Sequence, residues 1–178
     1  MALRKPTQAT RGNSVLAVFT EWYNWQTDAN YGIASRPEPP AAVLHDRDAD
    51  KTAWVEIAEA CTTNDYARNI TQEELDDPDA EDSSFETDMD RRAAEAFVAA
   101  AGEKLASRAY DAIAAQHGPG VLLVVIRSPW FNEETFQAME SAWIEHEAWN
   151  ASGSFARIYI GWRAQGGYDF EEWTQPIG

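Results

Sequence analysis

Carboxylate side chains are the groups in this 178-residue chain whose type and spacing best suit chemistry. Glu56 and Glu59 lie within an apolar run at residues 53–60, Glu38 precedes that run between prolines, and Glu21 lies further upstream. A carboxylate in a strand that is otherwise suited to burial is costly unless it is paired, bound to a metal or open to a cleft. Mg²⁺ prefers oxygen ligands that converge from separate elements, and it can then activate a water and stabilise charge on a phosphate. Residues 53–60 are therefore the best candidate for a site.

Each carboxylate also has an interpretation that involves no chemistry. The glutamates could be exposed or could pair with cations, the candidates being Arg36, Lys51 and Lys104. Pairing or exposure is the favoured interpretation for Glu38, and solvation is favoured for Glu59 at the end of the strand. For Glu56 both interpretations stand, because its apolar neighbours argue for partial burial.

Two cations are placed where they could join such a site. Lys104 lies on a predicted long helix, where a lysine is most often a surface residue, so a functional role is the minority alternative. Arg127 follows the apolar run at residues 121–126, and ligand sites of open α/β sheets cluster at such strand ends. An anion contact by Arg127 and an ion pair with Glu133 or Glu134 are equal alternatives. Tyr110 is predicted to be a core aromatic with a polar tip.

Other kinds of site have no support in the sequence. It contains neither a glycine-rich phosphate loop nor a dinucleotide-binding fingerprint. Its three histidines are scattered, which argues against a histidine-based zinc site. Cys61 is the one cysteine, so an internal disulfide is impossible, and we expect a buried thiol in a reducing cytoplasm.

Composition and charge narrow the class of protein. We expect a single domain over residues 1–178, with no bilayer-spanning segment, because no apolar run approaches the ~20 residues that a membrane helix needs. The net charge is −16, and residues 72–90 contain ten acidic and no basic side chains. Such a charge repels phosphate backbones and anionic membranes. We expect residues 72–90 to form an acidic loop that could attract a cation or a basic protein partner.

The elements that must position these residues follow from hydrophobic periodicity. Side chains alternate along a strand, so Glu56 shares one face of its strand with Trp54 and Ala58. The unbroken apolar run at 121–126 predicts a central strand covered on both faces, and the strand–helix–strand unit that follows implies a parallel pair. The first half of the predicted order is a helix capped by Asn13 or Ser14, three strands at 31–35, 41–44 and 53–60, and a short helix at 64–75. A long helix then runs from Asp88 or Asp90 to about His117. After it we predict a strand at 121–126, a helix at 132–149, a strand at 155–162, and a tail that forms an edge strand or a strap. The fold class is therefore α/β, with a mixed central sheet flanked by helices in the order α-β-β-β-α-β-α-β.

This order resembles the PD-(D/E)XK (restriction-endonuclease-like) superfamily. RPEPPAAVL followed by WVEIAEA is similar to the family's arrangement of Pro-Asp, apolar strand, turn and strand with Glu-x-Lys, and KLASRAY, GPGVLLVVI and SFARIYIGW are similar to its later helix and strands. The resemblance implies a nuclease-like core in which Glu21 and Glu56 would bind Mg²⁺. Ala41 stands where the family has its metal-binding aspartate, and Ala58 where it has its lysine.

Migrated residues could replace the two missing ones. Lys104 could supply the lysine from the adjacent helix, and Asp46 or Asp48 the carboxylate, although both aspartates fall in a turn too far from Ala41 to replace it easily. The leading hypothesis is a catalytically degenerate member that acts as a binding or regulatory protein. One alternative is a Mg²⁺-dependent nuclease with Glu56 and Lys104 as catalytic residues and Glu21 and Glu56 as metal ligands. Another is a small domain whose eight tryptophans partly serve contacts with other proteins or a homo-oligomer.

Overall fold

A six-stranded open sheet organises the part of the chain that the computed structural model describes, residues 8–62, 82–128, 131–146, 153–164 and 167–174. The strands lie in chain order: β1 (Tyr31–Ser35), β2 (Ala42–Asp46), β3 (Lys51–Cys61), β4 (Gly120–Arg127), β5 (Phe155–Ala164) and β6 (Gly167–Trp173). The described helices are α1 (Gln8–Thr27), α2 (Asp82–Ala106), α3 (Asp111–His117) and α4 (Glu133–Glu145), with a 3₁₀ turn at Arg108–Tyr110. The β3–β4 and β4–β5 pairs are parallel and the other three pairs are antiparallel. The predicted α/β class with a mixed sheet is confirmed.

The central strands form because their sequences suit burial on both faces. β4 is buried along its whole length except at Arg127, as expected of a strand with parallel neighbours on both sides and helices over it. β3 alternates, with Trp54 and Ala58 on one face and Val55 on the other. The predicted parallel pair of β4 and β5 is confirmed, and the tail after Gly166 is the edge strand β6.

Helices cover the two faces of the sheet unequally. The larger core lies between the sheet and the pair α2 and α4, whose fully buried contributions include Phe97, Leu105, Met139 and Trp143. On the other face Val15, Leu16 and Phe19 of α1 pack against the alternate residues of the same strands. The two faces of β3 therefore meet different helices, and this decides which side chains can reach Glu56.

Several predicted boundaries are wrong. α1 begins at Gln8, so the predicted cap residues Asn13 and Ser14 lie inside the helix. α2 begins at Asp82, so residues 82–90 of the predicted acidic loop are helical. Acidic residues are favourable in the first turns of a helix. Residues 72–81, and the whole of the predicted helix at 64–75, lie outside the described residues.

The long helix also ends earlier than predicted. It stops at Ala106, because the Ser107 side chain accepts a hydrogen bond from the Ala109 N–H and caps a new 3₁₀ turn. Cys61 is exposed at the end of β3, which contradicts the predicted buried thiol. No helix within the described residues is both long and apolar enough to span a membrane.

Candidate functional site

Glu56 is a buried carboxylate whose two oxygens both accept hydrogen bonds from the protein. Lys104 Nζ lies 2.7 Å from Glu56 Oε1, and the Ala41 N–H donates to Oε2 at 3.0 Å. The residue is 6% exposed, so its charge is largely removed from water. A buried carboxylate needs such partners, and here one cation and one backbone donor supply them.

The start of β2 explains why this carboxylate is accessible to a backbone donor. The β2–β3 ladder begins with Ala42 opposite Val55, so Glu56 lies one residue beyond it. At that point the Ala41 N–H turns to the side chain of Glu56 and not to a strand backbone. The end of a ladder therefore places a backbone donor where the superfamily resemblance expects an aspartate.

Helix α2 brings Lys104 to the same point. Ala101 and Leu105 are buried against the sheet, and Lys104 lies beside them in the last turn of α2, with 28% of its side chain exposed. Its stem follows the apolar surface while its ammonium reaches Glu56, which is the usual behaviour of a lysine at the edge of a core. Burial lowers the pKa of Lys104, but the hydrogen bond and the charge of Glu56 outweigh it and raise the pKa overall. Lys104 is thus an ammonium at neutral pH and cannot serve as a base.

Tyr110 completes this group of polar side chains. Its ring is buried against Trp54 and Phe155, and it lies close enough to Lys104 and Glu56 for their charges to affect its pKa. Burial is the main cause of a raised pKa of Tyr110, and the charge of Glu56 adds to it. The prediction of a core aromatic with a polar tip is confirmed.

A groove opens beside Glu56 and Lys104. It has a volume of about 510 Å³ and is lined by Glu38, Pro39, Ala41, Glu56, Ile57 and Lys104. Glu38 is exposed and adds a second carboxylate to this groove. The groove can therefore hold a small ligand against one cation and two carboxylates.

The other predicted carboxylates lie elsewhere. Glu21 is exposed on α1, which packs against the face of the sheet opposite to α2 and Lys104. Asp46 lies at the far end of β2, about 17 Å along the strand from Ala41, and accepts the N–H groups of Asp48 and Ala49 in the β2–β3 turn. Among the described residues, no three His, Cys, Asp or Glu side chains cluster closely enough to hold a metal ion.

A second ion pair lies where β3 and β4 end. Arg127 donates to Glu59 at 2.8 Å and to the Tyr168 hydroxyl at 2.7 Å, which links β3, β4 and β6. Glu59 is half-buried and paired, which contradicts the favoured prediction that it is solvated. Arg127 forms its ion pair with this strand residue and not with Glu133 or Glu134 of α4. In the parallel register Cys61 lies opposite Arg127. Glu59 lies two residues before Cys61 and on the same face of the sheet. Only this register reveals the contact between Arg127 and Glu59.

Sequence reasoning missed the hydrogen bond from the Ala41 N–H to Glu56. A backbone donor leaves no trace in residue types. Comparisons with protein-family models, with curated proteins and with solved structures find no match to this chain.

Proposed function

We propose that this chain is a PD-(D/E)XK-like protein that does not cleave nucleic acid and acts as a binding or regulatory protein. The observation that carries the proposal is the state of Glu56, whose oxygens are engaged by the Lys104 ammonium and the Ala41 N–H. A divalent cation would have to displace Lys104 from Oε1 or bind beside a positive charge. The Lys104 side chain thus provides the positive charge that a bound metal ion would otherwise provide.

The order of elements supports the superfamily part of the proposal. The described residues run in the order of one helix, three antiparallel strands, the helices α2 and α3 and a parallel strand, which is compatible with the proposal, and Glu56 lies on the third strand. Ala41 and Ala58 remain the two departures from the motif, and neither carries a group that could bind a metal through its side chain. A net charge of −16 disfavours nucleic acid as the partner, so we propose a protein partner, with residues 72–90 as the acidic segment that attracts it.

A divalent-cation titration combined with a cleavage assay tests this proposal. We expect no Mg²⁺- or Mn²⁺-dependent cleavage of single- or double-stranded DNA, and no calorimetric signal for either ion in the millimolar range. Glu59→Gln serves as the matched control for Glu56→Gln, because both glutamates lie on β3 and pair with a cation. Metal-dependent cleavage that Glu56→Gln abolishes and Glu59→Gln retains would refute the proposal.

The second candidate function is a Mg²⁺-dependent nuclease with a migrated site. It is favoured by Glu38, which lines the same groove as Glu56 and Lys104 and could supply a second carboxylate. In that case Glu38→Gln and Glu56→Gln would each abolish cleavage, while Glu21→Gln on the opposite face would not. The same assay therefore separates the two functions.

A further inference from the structure

We propose that the second half of β3 is an open sheet edge that binds an extended, positively charged segment of a partner protein as an added strand. The proposal rests on the proposed function in one respect, namely that the partner is a protein. β4 pairs with residues 55–61 of β3 on one side, whereas β2 pairs with residues 51–55 only on the other. Among the described residues, no strand pairs with residues 56–61 on the β2 side.

The backbone of residues 56–61 suits recognition of a peptide. The N–H and C=O groups of successive residues point to opposite sides of a strand, so only every second residue directs these groups toward β4. The other residues direct theirs away from β4, where they can pair with a further strand. Six residues span about 17 Å at about 3.3 Å per residue, which is the length of an ordinary strand. Main-chain hydrogen bonds along such an edge are a common mode of peptide binding.

The side chains next to this edge are more accessible than their neighbours on β4. Ile57 and Glu59 lie in register with Leu123 and Val125, on the face of the sheet that α1 covers. Leu123 and Val125 are fully buried, whereas Ile57 and Glu59 are partly exposed. β4 has a strand on both sides, but this part of β3 has a strand on one side only. A strand added beside β3 would therefore cover Ile57 and Glu59.

Grooves open at both ends of the edge, on the side of α2. The groove of about 510 Å³ lies at its start, beside Glu56 and Ile57. A second groove of about 460 Å³ lies at its end, where it is lined by Cys61, Thr62 and side chains of α2. α2 lines both grooves, so it runs along the edge from one to the other. An added strand would therefore have room for side chains at each end.

The charges beside the edge favour a basic occupant. Glu38 is exposed on the first groove, where Glu56 and Lys104 compensate each other as an ion pair. At the second groove the two arginines of α2 pair with acidic side chains of the same helix. Glu38 therefore leaves the edge with a negative charge, and the net charge of −16 repels an acidic partner or a second copy of this chain.

Amide hydrogen exchange, measured by NMR on the intact chain, tests the edge without a ligand. We expect every second amide of residues 56–61 to exchange at least about tenfold faster than its neighbours. Residues 121–126 are the control and should all exchange slowly, because β4 has strands on both sides. Uniformly slow exchange at residues 56–61 would overturn the proposal. The occupant would then be another part of the chain, or a second copy if the slow exchange depends on protein concentration.

A ten-residue peptide of alternating lysine and valine serves as the probe for the partner. Its binding should slow the fast amides of residues 56–61, because the peptide backbone pairs with them. The control peptide has proline in place of valine, which keeps the charge but removes the N–H groups that a strand needs. The control should leave these amides unchanged. Binding of the lysine–valine peptide without slower exchange at residues 56–61 would overturn the proposal.

Two matched variants test the role of charge in the same binding assay. Glu38→Gln should weaken binding of the lysine–valine peptide about two- to fivefold, the worth of one exposed ion pair. Glu21→Gln removes an exposed charge of the same sign on α1 and should weaken it less. Equal weakening by the two variants would contradict the placement of the partner beside Glu38. Metal-dependent cleavage by the native chain would refute the proposed function, whereas the exchange measurements decide separately whether this edge accepts a strand.

Discussion

At the scale of single residues, the Glu56–Lys104 pair matters most for what its loss would expose. Removing one partner of a buried pair leaves an uncompensated charge, whereas removing both does not. We expect Lys104→Met to lower the free energy of unfolding by about 3 kcal/mol. The double variant Glu56→Gln/Lys104→Met should be more stable than Lys104→Met alone. Urea unfolding of the single and double variants checks this, and a double variant that is less stable than Lys104→Met would contradict it.

The same pair predicts a loss of stability at alkaline pH. The pKa of Lys104 is raised in the folded chain. The contribution of Lys104 to the free energy of unfolding is therefore fully present below the unfolded pKa of about 10.4, and it is lost as the pH rises through the higher folded pKa. Buried tyrosines with raised pKa values titrate in the same alkaline range, so the native chain must be compared with a variant that lacks the lysine. The difference in unfolding free energy between the native chain and Lys104→Met should shrink above pH 10.4. A difference that stays constant to pH 12 would contradict the ion pair.

Asp46 gives the corresponding prediction at acid pH. The Asp48 and Ala49 N–H groups donate to Asp46 Oδ1 and lower the pKa of the carboxyl. Its contribution to stability is therefore present above the unfolded pKa of about 3.9 and is lost as pH falls through the lower folded value. Asp46→Asn retains the acceptor oxygen but not the charge, so it should weaken this acid dependence, whereas Asp46→Ala should also destabilise the turn at pH 7. Unfolding free energies measured between pH 7 and pH 2 test both variants.

At the scale of elements, two glycines offer a matched pair of substitutions. A Cβ on Gly120, at the start of β4, would overlap the Trp54 ring, while a Cβ on Gly102 in α2 would have no neighbour within 4 Å. We expect Gly120→Ala to cost about 1–3 kcal/mol through overpacking, and Gly102→Ala to stabilise α2 by about 0.5–1 kcal/mol. Gly120→Ala should also displace Trp54 and with it Tyr110. Thermal unfolding of both variants and near-ultraviolet circular dichroism of the tryptophans test the prediction, which fails if the two changes have the same sign.

The elements also show how far the sequence determines this molecule. Period-two alternation placed Glu56 on the face of Trp54, and the run at 121–126 was recognised as the central strand because such local patterns depend on burial alone. Contacts between distant segments follow from register and crossover. The partner of Arg127 and the hydrogen bond from the Ala41 N–H to Glu56 were therefore beyond local patterns. The break after Ala106 was missed because Ser107 caps a turn inside a sequence that otherwise suits a helix.

At the scale of the whole molecule, charge repulsion opposes the compact state. Thirty acidic residues face fourteen lysines and arginines, which leaves an excess of sixteen negative charges. The exposed pairs of α2, such as Arg91 with Glu95, contribute little to the free energy of unfolding, so their screening by salt changes it only slightly. Screening of the uncompensated charges should therefore dominate the response to salt.

We accordingly expect the unfolding temperature to rise with ionic strength at neutral pH. Between 0.01 M and 0.15 M NaCl the screening length falls from about 30 Å to about 8 Å, which is shorter than the distance across the folded chain. The rise should be largest near pH 8 and should vanish near pH 4.4, where the net charge is close to zero. The measurement is thermal unfolding at both pH values across this salt range, with sodium sulfate avoided because it also strengthens apolar burial. An unfolding temperature that falls with salt at pH 8 would mean that attractive pairs such as Glu56–Lys104 and Glu59–Arg127 outweigh the repulsion of the surface as a whole.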